Sequence, residues 1–146
     1  MTQPQILSIR TSPQASRKTV LVNGCFDPFH VGHLYHFQAA KQYGDTLIVA
    51  VTKNGYVHKK NRPMFDEKER AAVLRALAIV DEVILVESSI EALSFIKPGV
   101  WCIGEEYKDK LREEDAAYCR HWGIRIVFTE EKTYSSTKIC ALLRQG

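Results

Sequence analysis

Five short apolar stretches recur along the chain, separated by segments whose apolar residues fall three and four positions apart. The first stretch, residues 19–23, is apolar almost throughout, as expected of a strand covered on both faces of a parallel sheet. Comparable stretches stand at 46–51, 82–86, 100–103 and 124–128. The intervening periodicity predicts helices over 31–43, 66–78, 89–96, 109–122 and from 135 to about 144. Asp66 with Glu69 three residues on has the spacing of a capping box. Gly44 and Gly123 stand where glycine ends a helix, and Pro98 stops the third one. Residues 1–18 show no periodicity and read as a loose arm, with some strand character at 6–9.

Strands alternating with helices build right-handed βαβ units. The expected fold is therefore α/β, a Rossmann-like three-layer sandwich around a five-stranded parallel sheet, formed by residues 19–146 as one domain. In such a sheet ligands collect at the carboxyl ends of the strands. The turn after residue 23, the loop 52–63, the segment 104–108 and the start of the last helix all belong to that edge.

The 146 residues, 45% hydrophobic and 25% charged, suit one globular domain. A net charge of +3 suits an anionic small molecule. The basic cluster at 58–62 is short and has no aromatic interleaving beyond Tyr56, so nucleic acid is not an expected partner. No apolar run reaches the ~20 residues that span a bilayer, and no membrane partner is expected. Four scattered cysteines without a Cys-x-x-Cys pair speak against a zinc site or a disulfide framework. A reduced, cytoplasmic setting follows.

The chemistry concentrates at Asn23-Gly24-Cys25-Phe26-Asp27-Pro28-Phe29-His30-Val31-Gly32-His33. A strand feeds a glycine-containing turn, and the turn delivers two histidines to a helix start, where free N–H groups and the helix dipole favour a phosphate. Neither a dinucleotide fingerprint nor a P-loop is present. Two imidazoles could instead donate to phosphate oxygens as charge develops, with Gly32 allowing a close approach. Ser135, Ser136 and Thr137 open the last helix; their hydroxyls can cap it, or join its N–H groups in holding phosphate. Lys59 and Lys60 lie in a polar loop that is either solvated surface or a mobile cationic flap. Gly104-Glu105-Glu106-Tyr107-Lys108 is either a charged helix cap or a ribose- and base-binding segment. Cys25 could serve as a nucleophile with a histidine base, although nothing else in the chain calls for thiol chemistry.

The pattern Gly-x-Phe-Asp-x-x-His-x-Gly-His, with a Ser-Ser-Thr helix start near the end, resembles the cytidylyltransferase-like nucleotidyltransferases. These include glycerol-3-phosphate and phosphocholine cytidylyltransferases and the heptose-1-phosphate adenylyltransferase domain. The resemblance runs from about residue 19 to 143. It implies a magnesium-dependent transfer of a nucleoside monophosphate from CTP or ATP to a small phosphorylated acceptor, with release of pyrophosphate. It further implies His30, His33 and Lys59 or Lys60 as catalytic residues. Nucleotide binding falls to Gly24, Cys25, Phe26, Gly32, Gly104, Glu105, Tyr107, Ser135, Ser136 and Thr137. Asp27 and Arg70 are the implied substrate contacts, no metal ligand is assigned to the protein, and a homodimer is expected. Asn23–Asp27, Arg62-Pro63-Met64 and Glu106-Tyr107-Lys108 are closer to the heptose-phosphate branch. The Arg-Thr-x-Gly of the glycerol-phosphate branch is replaced by Glu130-Glu131-Lys132-Thr133. A sugar or polyol phosphate is the expected acceptor. FMN adenylylation and a non-catalytic nucleotide-binding module are the alternatives.

Overall fold

A computed structural model describes residues 4–9, 16–130 and 136–144. The elements run β1 (Gln5–Ile9), β2 (Ser16–Gly24), α1 (Val31–Lys41), β3 (Thr46–Thr52), α2 (Glu67–Arg75), β4 (Glu82–Val86), α3 (Ser89–Ile96), β5 (Pro98–Gly104), α4 (Glu113–Trp122), β6 (Arg125–Thr129) and α5 (Ser136–Leu143). One sheet contains every strand, in the order β1-β4-β3-β2-β5-β6. The five expected strands, β2 to β6, pair in parallel. Strand order reverses between β2 and β5, so the crevice of a doubly wound sheet opens above those two strands.

Alternation along each strand sorts the apolar side chains into two cores. Val20, Val22, Leu47, Val49, Val51, Val83 and Leu85 share one core with Phe37 of α1 and Ala71 and Leu74 of α2. Leu21, Ile48, Ala50, Ile84, Val86 and Trp101 share the other with Leu93 and Ile96 of α3 and Cys119 of α4. Two such cores make the three layers expected. Among the described residues, no helix is long and apolar enough to cross a membrane.

Three local expectations change. The N-terminal segment is not loose throughout: residues 5–9 form a sixth strand, antiparallel to β4 at the sheet edge, and β2 starts at Ser16. That pairing joins residues far apart in sequence, so no local period announces it. Gly44 does follow α1, but with a right-handed cap at Gln42 before it. Its requirement is steric, since a Cβ there would lie 2.2 Å from the Lys18 carbonyl oxygen. Residues 105–110 form a 3-10 turn, and α4 begins only at Glu113, after the extended backbone of Arg112. The remaining stops behave as read. Asp66 caps α2 in a reciprocal box with Glu69, and Gly123 ends α4 at φ +68°.

Candidate active site

The crevice holds a cavity of about 570 Å³ lined by the turn after β2, the starts of α1 and α5, the end of β5, and the 59–62 loop. Its walls are set first by the turn. Phe26 takes a left-handed φ of +52°, a conformation that a side chain disfavours. Its ring is 5% exposed and packs edge-on against His33 and Phe37, at centroid distances of 5.0 and 5.4 Å. Gly24 makes room for it, because a Cβ there would stand 3.2 Å from the ring.

His30 is the N-cap of α1. Its Nδ1 accepts the Gly32 N–H at 3.1 Å, and Nδ1 of His33 accepts the His30 N–H at 3.2 Å. This is a capping box built from imidazoles. A neutral ring whose Nδ1 accepts carries its proton on Nε2. The helix cap therefore sets both tautomers, with the proton of each neutral ring on Nε2, and both residues line the cavity. The rings stack at 3.8 Å, and Phe29 stacks on the far side of His33 at 5.6 Å.

Asp27 is not among the residues that line the cavity. It is 0% exposed, and its carboxylate accepts from Arg62 Nε at 2.6 Å, Met64 N–H at 2.9 Å and Phe65 N–H at 2.9 Å. Burial pushes its pKa up, but the two amides and the Arg62 cation outweigh that and hold it below the ordinary 3.8. A carboxyl with a lowered folded pKa contributes stability that is complete above the ordinary value and lost as pH falls through the folded one. Asp27→Asn is expected to cost about 3 kcal/mol at neutral pH, because Arg62 keeps a buried, unpaired charge. Its stability should also fall less steeply with acid below pH 3.8 than the parent's; denaturant titrations across that range measure both.

Arg70 is likewise absent from the cavity lining. It is 2% exposed and donates from Nε to the Phe65 carbonyl, from one terminal nitrogen to the Cys25 carbonyl and from the other to Asn54 Oδ1. Asp27 and Arg70 thus bracket the motif turn to the loop that precedes α2. The family resemblance implies both as substrate contacts; the fold turns their side chains inward.

Of the two loop lysines, Lys59 lines the cavity and Lys60, exposed, is not among its lining residues. Of the two glutamates, Glu106 lines the cavity, and Glu105 is exposed outside it. Glu106 folds back over the strand end, where a Cβ on Gly104 would meet its Oε2 at 2.5 Å. Burial, then the Glu106 charge, raises the pKa of Tyr107 at the same wall. Cys25 is half-buried at the rim. Gly32 is buried in the first turn of α1, with its N–H committed to His30.

Ser136 and Thr137 line the cavity, and Ser136 Oγ donates to the Pro28 carbonyl at 2.8 Å, tying α5 to the motif turn. Ser135 lies outside the described residues.

Several lining residues carry no motif signal. Trp101 Nε1 donates to Asn23 Oδ1, and Asn23 Nδ2 donates to Ser89 Oγ, both at 2.9 Å. This chain of bonds crosses three elements and has no signature in any one of them. Arg112 pairs with the buried Asp115 at the start of α4. His36 had a local signal, the helical spacing of three from His33, within a segment otherwise read as apolar packing.

The arrangement can hold several phosphates. His30, His33, Lys59, Ser136 and Thr137 line the cavity together with Glu106, Tyr107 and the apolar Trp101 and Ile103. Known proteins resemble the chain in sequence and in fold. Residues 21–141 match the cytidylyltransferase-like family model. The "Bifunctional protein HldE" of Campylobacter jejuni subsp. doylei is 39% identical over 103 residues, which are 67% of this chain and 22% of that protein. The HldE of Helicobacter pylori strain 26695 is 34% identical over 116 residues, 75% of this chain and 25% of that protein. The chain thus spans a quarter or less of the length of these curated relatives. Among solved structures, a lipopolysaccharide core biosynthesis protein from Thermoplasma volcanium superposes with a TM-score of 0.65 at 27% identity, covering 80% of this chain and 98% of that one. A protein of unknown function from Archaeoglobus fulgidus shares the fold at 16% identity, with a TM-score of 0.61 and coverage of 80% and 93%. The chain belongs to the cytidylyltransferase-like family.

Proposed function

We propose that this protein transfers a nucleoside monophosphate from a nucleoside triphosphate to a sugar phosphate and releases pyrophosphate. The observation that carries this reading is the imidazole capping box, whose two histidines line a cavity at the switch point of the sheet. An oxygen of the acceptor phosphate attacks the α-phosphorus in line. The bond to the bridging oxygen breaks, and that oxygen leaves on pyrophosphate. His30 and His33 donate to the α-phosphoryl oxygens and to the leaving oxygen as their charge grows. Ser135, Ser136, Thr137 and the α5 N-terminus hold the β- and γ-phosphates, and Lys59 closes over them from its loop. Glu106, Tyr107 and Gly104 face the ribose and base, with Gly24, Cys25 and Phe26 forming the floor of the turn. Magnesium enters as part of the Mg–nucleotide substrate. Catalysis is then positioning and electrostatics, with no covalent intermediate.

ATP is the favoured donor. The motif resemblance to the heptose-phosphate adenylyltransferase branch and the similarity to proteins titled HldE both support it. A pyrophosphate-release screen decides the matter, crossing ATP, CTP, GTP and UTP with heptose 1-phosphate, glycerol 3-phosphate, phosphocholine and FMN. ATP with heptose 1-phosphate is expected to give the highest kcat/KM. Measurable nucleotide binding without pyrophosphate release, whichever acceptor is supplied, would replace the enzyme with a nucleotide-binding module.

A further inference from the structure

Behind the two motif histidines, α1 buries a third imidazole. His36 stands one turn beyond His33, is 7% exposed and lines the same cavity. Its Nδ1 lies 2.6 Å from Oγ1 of Thr129, which is 6% exposed and ends β6. This contact joins the helix that carries His30 and His33 to the strand from which the chain runs on to α5. A second tie sits in α5, where Ser136 Oγ donates to the Pro28 carbonyl at 2.8 Å and Cys140 Sγ lies 3.4 Å from the Asp27 carbonyl. The turn that opens α1 is thus tied to α5, and α1 itself to the end of β6.

Two helix N-termini act on one anion only when both are close, because the dipole's effect fades within the first turn. Apolar packing alone would hold α1 near β6 without fixing how far along it sits, since dispersion and burial are non-directional. A buried hydrogen bond is directional and weakens steeply with misalignment. With water excluded, breaking it leaves a polar group unsatisfied.

We propose that His36 is a positioning residue for the triphosphate. Its hydrogen bond to Thr129 sets the spacing between the α1 and α5 N-termini, and so the fit of the β- and γ-phosphates between them. This rests on the nucleotide-transfer reading above. It assigns His36 no contact with the reacting atoms.

The test compares nucleotides that do and do not carry those phosphates, by calorimetric titration of ATP and CTP against AMP and CMP. His36→Phe fills the space without Nδ1. It should bind the triphosphates at least about tenfold more weakly while its monophosphate affinity and the KM for the acceptor stay unchanged. His36→Asn returns an amide to the Nδ1 position and should recover to within about threefold of the parent protein. Thr129→Val should reproduce the His36→Phe defect, and the double variant should be no worse than either single one, as for two halves of one interaction. If His36→Phe proves unfolded, Thr129→Val carries the same contrast.

Equal weakening of tri- and monophosphates, an additive double variant, or a His36→Asn protein as impaired as His36→Phe overturns the proposal. A parent protein that binds ATP or CTP but releases no pyrophosphate overturns the transfer reaction instead. The binding contrast among variants still decides for or against His36.

Discussion

Replacing His33 by glutamine is expected to lower pyrophosphate release roughly 10²–10⁴-fold while the melting temperature stays close to the parent's. The glutamine separates two jobs that one imidazole performs. At the third helical position a Gln carbonyl accepts the N-cap N–H, as in an ordinary capping box, so the start of α1 survives. What disappears is the flat ring between His30 and Phe29, with its proton held on Nε2 by the His30 N–H. His33→Ala should show the same loss of turnover and a lower melting temperature besides, because it opens a hole beside Phe26 and removes the cap acceptor. The measurement is kcat for pyrophosphate release beside a thermal melt for each variant. A glutamine variant within about threefold of parental turnover would remove His33 from the chemistry.

The second large effect is on stability. Arg70→Met is expected to cost about 4 kcal/mol. The guanidinium spans three acceptors on three segments: the Cys25 carbonyl of the motif turn, the Phe65 carbonyl before α2, and Asn54 Oδ1 after β3. Methionine fills the volume but leaves all three acceptors without this donor in a region that excludes water. Arg70→Lys should fare little better, since a single ammonium cannot reproduce a planar fork aimed at separated oxygens. Chemical denaturation measures the loss. If both variants unfold like the parent protein and only the acceptor KM rises, Arg70 is a phosphate ligand after all and the bracket assignment is wrong.

Asp27 and Arg70 also show where local reasoning stops. A carboxylate and an arginine beside a phosphate turn have the right chemistry for substrate. Their residue types are consistent with either facing the cavity or facing the protein. The choice depends on the 62–65 segment arriving with two amides and a guanidinium aimed at Asp27, 35 to 38 positions away in the chain. Lys59 against Lys60, and Glu106 against Glu105, are similar cases. Adjacent residues in a loop or a 3-10 turn point in different directions, and neither spacing nor type says which one meets the cavity.

Much else was legible. Five parallel strands followed from apolar runs too continuous for a one-sided sheet, and their alternation with helices dictated the layers. The α2 capping box and the Gly123 stop are local hydrogen-bond and backbone devices, so a handful of neighbouring residues specified them. The His-x-Gly-His turn is local in the same sense, because a cap involves only the residues that make it. The sequence by itself therefore determined the layers, the edge of the sheet where ligands collect, and the two histidines at a helix start. The antiparallel edge strand, the inward turn of Asp27 and Arg70, the Trp101–Asn23–Ser89 chain and the His36–Thr129 tie were decided only in three dimensions. Each joins groups distant in the chain, and the energy that selects them exists only once separate elements have packed together.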